Sequence, residues 1–230
     1  MKKILLLSLT VALLAVTAMA LPSGGSKKDR DSKATALDTD NYVNANRILM
    51  LCANNGAFAY DLGGLLGKTD GLYFPYNSLQ NILDGIDDRT VVYASGLWIG
   101  ATDSATAETL VTVAEYGQEF YPGNMIGGTY DSTGQSDPNY RVYKIYSDSL
   151  SSNPNADYLA WPVSQGAPVD DSGRPAIIGD QMLWCVYNDA KPSEHTNDAG
   201  STAPLGLEIQ QSTFAFDRDD YLGNVVFLRF

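Results

Sequence analysis

The feature that most constrains this chain is a succession of short apolar or alternating segments beginning at Arg47, each rich in Val, Ile, Tyr, Phe or Trp and each closed by turn-forming residues. Segments of that length and composition favour strands. The candidates are 47–53, 56–60, 71–75, 90–101, 109–117, 140–147, 157–162, 181–188, 205–216 and 222–230. "ATDSATAE" at 101–108 and "FDRDDYLGN" at 216–224 each separate two such runs as a hairpin loop does. Past the N-terminal apolar run, a helical stripe is confined to one short turn at "NSLQNILDGI", where Leu79, Ile82 and Ile86 share a face. The pattern predicts an all-β fold, a two-sheet β-sandwich of antiparallel strands.

The N-terminus reads differently. Lys2 and Lys3 precede the apolar run 4–20, which ends on the small-x-small triplet Ala18-Met19-Ala20, the layout of a signal peptide cleaved after Ala20. Residues 21–44 are rich in charge, Ser and Gly and read as a disordered leader, with a β-sandwich domain over 45–230. The terminal run "GNVVFLRF" alternates up to Phe230, so the domain is expected to be truncated there and to continue in a longer protein. Removing the signal takes the basic count from 15 to 13 against 27 acids, and the net charge from −12 to −14. Such a surface repels nucleic acid and anionic lipid, which bind basic patches.

Several motifs invite chemistry. "GGLLGKT" at 63–69 looks like a phosphate loop, but Leu62 stands where the first glycine belongs and "DGLYFPY" breaks the helix that must follow, so no nucleotide is expected. His195 is the one histidine and lies in the polar loop "KPSEHTNDAGS", which reads as exposed. A Gly-x-Ser-x-Gly elbow is absent from the sequence. Paired carboxylates could serve a glycosidase, with Glu115, Glu119, Asp87-Asp88, Asp170-Asp171 and Asp219-Asp220 as candidates, although aspartates in turns are ordinarily turn formers. No catalytic residue is assigned.

No cofactor is expected beyond structural Ca2+, which suits an export compartment; its candidate loops are "DTDN" at 38–41, "DSTGQSDPN" at 131–139 and "DRDD" at 217–220. Trp98 and Trp184 sit among large apolar residues and are expected in the core, whereas Trp161, followed by Pro162, is the candidate for exposed ligand stacking. Cys52 and Cys185 each lie in an apolar run, and two readings stand open: a disulfide between them, or two separate buried thiols.

Taken in order, "NRILMLCANNGAFAYD", "GLYFPY", "VVYASGLWIGA", "VTVAEYGQEFYPG", "YRVYKI", "WPVSQGAPVDDSGRPAIIGDQMLWCVYNDA" and "HTNDAGSTAPLGLEIQQSTFAF" resemble the N-terminal region of large secreted proteins of Bacteroidetes-type bacteria that look like type IX secretion substrates. The resemblance covers residues 45–230 and implies location rather than activity; the C-terminal sorting domain of those proteins has no counterpart in this sequence. With the signal peptide it leads to the expectation of a secreted or cell-surface non-catalytic β-domain with a structural, adhesive or surface-layer role. The alternative is an ancillary or catalytic module of a carbohydrate-active enzyme. The expected partners are the export machinery and glycans or other surface proteins.

Overall fold

The computed structural model describes residues 39–86, 89–114, 117–150 and 154–230. The signal segment, Asp87, Asp88 and Glu115 lie outside the described residues. Among the described residues there are fifteen strands and two short α-helices, and every strand pair is antiparallel, so the fold is all-β. Among the described residues no helix is long and apolar enough to cross a membrane.

The first sheet runs β5 (Thr90–Val92), β4 (Leu72–Tyr73), β2 (Leu49–Ala53), β3 (Ala57–Phe58), β6 (Ser95–Gly96), with β1 (Asp40–Val43) also on β2. The second runs β12 (Tyr143–Tyr146), β13 (Gln181–Asn188), β14 (Glu208–Ala215), β15 (Val226–Arg229), with β9 (Tyr121–Pro122) also on β13. Two ribbons stand apart, β7 (Trp98–Thr102) with β8 (Thr109–Val113), and β10 (Met125–Ile126) with β11 (Thr129–Tyr130).

Burial explains why β2 and β13 read as unbroken apolar runs. Side chains alternate across a strand, and both faces of each of these strands are covered. On β2, Met50 and Cys52 join Val43, Leu183, Cys185 and Tyr187 in a core that draws on both sheets. Leu49 and Leu51 point the other way and are covered by Leu66, Tyr73, Tyr76 and Ile82. Ile82 comes from α1 (Leu79–Leu83), whose N-cap Ser78 accepts a bond from the Asn81 amide at 3.1 Å. On β13, Met182, Trp184 and Val186 pack instead with Tyr143, Ile145 and Trp161. Each large aliphatic side chain buried this way contributes about 1.5–3 kcal/mol.

Three local expectations change. Residues 40–43, assigned to a disordered leader, form β1, because Asp40 to Val43 pair in register with Ala53 to Met50. Residues 157–162, expected as a strand, instead carry α2 (Ala156–Leu159), whose N-cap Asn155 accepts from the Tyr158 amide at 3.2 Å. The span 90–101 breaks into β5, β6 and the start of β7, with Gly96 lying so close to the Ala114 carbonyl that a Cβ could not fit.

Candidate functional site

Asp40 opens β1 and lies at the edge of a cavity of about 420 Å3. Its walls come from the end of β2 (Asn54, Asn55), the glycine loop (Leu62, Gly63), the approach to β9 (Gln118, Phe120) and the 134–141 loop. Asn54 is fixed in place, its side-chain amide donating to the Tyr140 carbonyl at 2.6 Å and its backbone amide to the Thr39 carbonyl at 2.9 Å. This part of the wall is therefore a side chain that already has an orientation.

Asp40 is 7% exposed. Its Oδ2 accepts from the Gly63 amide at 2.5 Å, while Oδ1 is buried and faces no hydrogen-bond donor. Burial pushes its carboxyl above the ordinary aspartate value, the Gly63 amide and Thr39 pull it back, and Asp61 pushes it up further. Gly63 is required here: a Cβ at that position would collide with the Asp40 carboxylate. The neighbouring Asp61 organises "GGLLGKT" itself. Its Oδ2 accepts from the amides of Leu66 at 3.0 Å and Lys68 at 2.8 Å, which are the amides a phosphate loop would turn toward its ligand. Its Oδ1 is likewise buried without a donor.

Beneath the wall formed by Gln118, Phe120 and Glu194 lies a second buried polar cluster. Glu119 is fully buried and accepts from the amides of Val113 at 2.9 Å and Asn197 at 3.0 Å. Asp189, also fully buried, accepts from Thr112 Oγ1 at 2.7 Å and from the amides of Leu205 at 2.7 Å and Leu207 at 2.6 Å. His195 was expected on the surface, but it is 8% exposed. Its Nε2 is 2.7 Å from the Asp189 carbonyl, which can only accept, so Nε2 carries the hydrogen. Its Nδ1 has no hydrogen-bond partner and sits 3.9 Å from Glu119 Oε2. These groups pin the 189–207 loop onto β8 and are closed off from the cavity.

The remaining predicted positions separate. Trp161 is not a stacking platform: it is 8% exposed, lies edge-on to Tyr143 at 6.2 Å, and donates from Nε1 to the Pro168 carbonyl at 2.9 Å. Trp184 is in the core, but Trp98, at the start of β7, is 51% exposed. Cys52 and Cys185 share one core cluster as free thiols. Cys52 Sγ lies 3.6 Å from Thr213 Oγ1, and burial pushes its thiol up to about 12; burial raises Cys185 well above the ordinary value as well.

The acidic loops proposed for calcium serve their own turns. Asp131 accepts from the Thr133 amide at 2.9 Å, Asp137 from the Asn139 amide at 2.8 Å, and Asp220 from the Leu222 amide at 3.0 Å. Asp38 of the first loop lies outside the described residues. Among the described residues no three His, Cys, Asp or Glu side chains gather as a metal site. Asp61 and Asp189 carried no signal in the sequence beyond being aspartates near turns, and Asp40 was singled out only as a calcium ligand.

No family model matches this chain, and no solved structure does. The chain is similar to Protein SCO2, mitochondrial, of Saccharomyces cerevisiae, with 29% identity over 166 residues, 63% of this chain and 54% of that relative. The chain thus spans about half the relative's length. This likeness to a mitochondrial protein overturns the expectation of a secreted or cell-surface domain with an adhesive, structural or surface-layer role, together with its carbohydrate-enzyme alternative and the bacterial type IX setting. The same likeness overturns the expectation of no cofactor beyond structural Ca2+.

Proposed function

We propose that residues 39–230 are a ligand-binding β-domain whose two larger sheets pack face to face as a sandwich, and that the cavity beside Asp40 holds a small polar molecule. The sandwich reading is supported by the core shared between Met50 and Cys52 of one sheet and Leu183, Cys185 and Tyr187 of the other. The resemblance in segment order over 45–230 supports treating these residues as one unit. One observation carries the binding reading: the walls of the 420 Å3 cavity present amide and carboxylate side chains around Phe120 and Tyr140, the mixture of a few fixed polar groups and apolar surface that small-molecule sites use.

The binding role rests on that lining. His195 and Glu119 lie beneath the wall with their polar atoms committed or buried. The experiment is a fragment screen followed by amide chemical-shift mapping on the full chain. Shifts that gather at Asn54, Gly63, Gln118 and Gln135 are expected. Fragments that bind elsewhere, or a library that leaves these four amides unmoved, would remove the cavity as the site.

A further inference from the structure

Side chains directly opposite one another in an antiparallel pair stand on the same face of the sheet. In the second sheet Trp184 lies opposite Ser212 and Ser212 opposite Arg229, so these three form one row across β13, β14 and β15. The face is the outer one: Met182, Trp184 and Val186 pack there with Trp161, whereas Leu183, Cys185 and Leu228 turn to the core shared with the first sheet. Gln210, two residues before Ser212 on β14, stands on that outer face as well.

The outer face is covered on one side only. Trp161 packs against Tyr143 and Trp184, with ring centroids 6.2 and 6.0 Å away. Over β14 and the end of β15 a groove of about 350 Å3 is left, with Trp184, Gln210 and Ser212 along its floor, Pro168 on one rim, and Arg229 and Phe230 on the other.

Three polar groups reach this groove without a protein partner among the described residues. Arg229 is exposed and makes no ion pair or hydrogen bond there. Gln210 is exposed too, and its amide end rests against Gly166, where a Cβ would collide with Nε2. Ser212 is 7% exposed, and its hydroxyl is unpartnered yet not sealed from the groove. The carboxylate in the lining is already taken, since Glu208 accepts from Asn124 Nδ2 at 3.1 Å and from the Met125 amide at 2.7 Å.

We propose that this groove is a second binding site, for a monocarboxylate carried on an aromatic or aliphatic body. The guanidinium fork of Arg229 matches the two carboxylate oxygens, and the Ser212 hydroxyl and Gln210 amide supply further donors. The body lies against Pro168, Trp184 and Phe230. A neutral amide forgoes the charge-assisted pair, and an amine meets like charge at Arg229. A dianion is disfavoured, because Glu208 stands in the same lining and the whole chain carries a net charge of −12. The groove shares no lining residue with the Asp40 cavity, so the inference goes beyond the reading of that cavity.

The test titrates the full chain with three probes of similar shape, hydrocinnamate, hydrocinnamamide and phenethyl phosphate, by calorimetry with mapping of backbone N–H shifts. Hydrocinnamate is expected to move the signals of Gly166, Gln210, Ser212 and Arg229 and to bind at least about tenfold more tightly than hydrocinnamamide, with phenethyl phosphate weaker than hydrocinnamate. Arg229→Gln, at an exposed position, should erase the preference for hydrocinnamate over its amide. Gln210→Ala, also exposed, should lower hydrocinnamate affinity by about twofold to threefold through one lost bond.

The inference is overturned if hydrocinnamamide or phenethyl phosphate matches hydrocinnamate at these four signals. A preference that survives Arg229→Gln overturns it as well, because the guanidinium is then not the recognising group. Shifts confined to Asn54, Gly63, Gln118 and Gln135 would remove this site and leave the Asp40 cavity standing, so the two readings fail separately.

Discussion

The strand β1 buries a charged or polar group at each end, and the two ends are built on opposite terms. At Asn44, just past the strand, the Lys144 ammonium enters the interior, yet its needs are met: Nζ donates to Asn44 Oδ1 at 3.2 Å and lies 3.9 Å above the Tyr42 ring. Asn44 is itself held by Gln181, through its amide at 2.6 Å and its carbonyl oxygen at 2.9 Å, and by the Tyr76 hydroxyl at 3.2 Å. At the Asp40 end the carboxylate leans on the Gly63 amide and on Thr39, keeps one oxygen buried without a partner, and stands beside a cavity. A closed polar network specifies a fold; an unfinished one beside a void is where a ligand would add most.

That contrast can be broken by substitution. Lys144→Ala should have the largest effect, lowering unfolding free energy by about 2–4 kcal/mol, because it deletes a packed stem and one of the two donors to the buried Asn44 Oδ1. Urea denaturation measures it, and a loss under about 1 kcal/mol would show that the Asn44 end is not the tighter one. Gly63→Ala comes next. Its Cβ would press on the Asp40 carboxylate, costing about 1–3 kcal/mol by overpacking and weakening any occupant of the cavity in parallel. Binding that survives undiminished would place the ligand away from Asp40.

Asp40→Asn should have the smallest effect on stability, within about 1 kcal/mol at neutral pH, since the variant keeps an acceptor for the Gly63 amide and sheds a buried charge. Its pH dependence sharpens the comparison. The folded carboxyl is raised above its unfolded value by burial and by Asp61, so the unfolded state loses its proton first as pH rises. Wild-type stability relative to the variant therefore falls through the window that starts near the unfolded value of 3.8 and ends at the raised folded one, and stays level below it. Paired thermal melts at pH 3, 5 and 7 read this directly. A wild type that gains on the variant over that range would mean that the carboxylate is stabilised rather than strained in the fold.

Much of the sheet framework was legible locally. The strand β13 appears over the residues expected, 181–188, because a long apolar run with flanking turns leaves few alternatives to a strand covered on both faces. The helical turn at "NSLQNILDGI" was readable from its spacing, with Ser78 as the cap and Ile82 buried, but Ile86, expected on the same face, falls past the helix and is 73% exposed. The candidate site was far less legible. Asp40 sat in a segment assigned to disorder, since four residues of mixed character become a strand only when β2 lies alongside them. Carboxylates were suspected throughout the chain, but a single carboxylate with a bare oxygen is visible only after its surroundings have assembled.

The sequence by itself determined an all-β chain, the strongest strands, the turn between β7 and β8, and the strongly acidic surface, because apolar periodicity, turn chemistry and charge are local or additive properties. Tertiary structure decided the rest. Trp161 is inside and Trp98 is half exposed, although both are flanked by apolar residues, because Trp161 packs among Tyr143, Trp184 and Val186 whereas no core cluster of the described residues takes in Trp98. His195 is buried within a polar loop because Asp189 gathers the loop amides and draws it inward. The cavity at Asp40 exists because segments separated by up to a hundred residues or more converge there, from Asp40 to Tyr140, and burial is a property of the whole packing that no window of sequence contains.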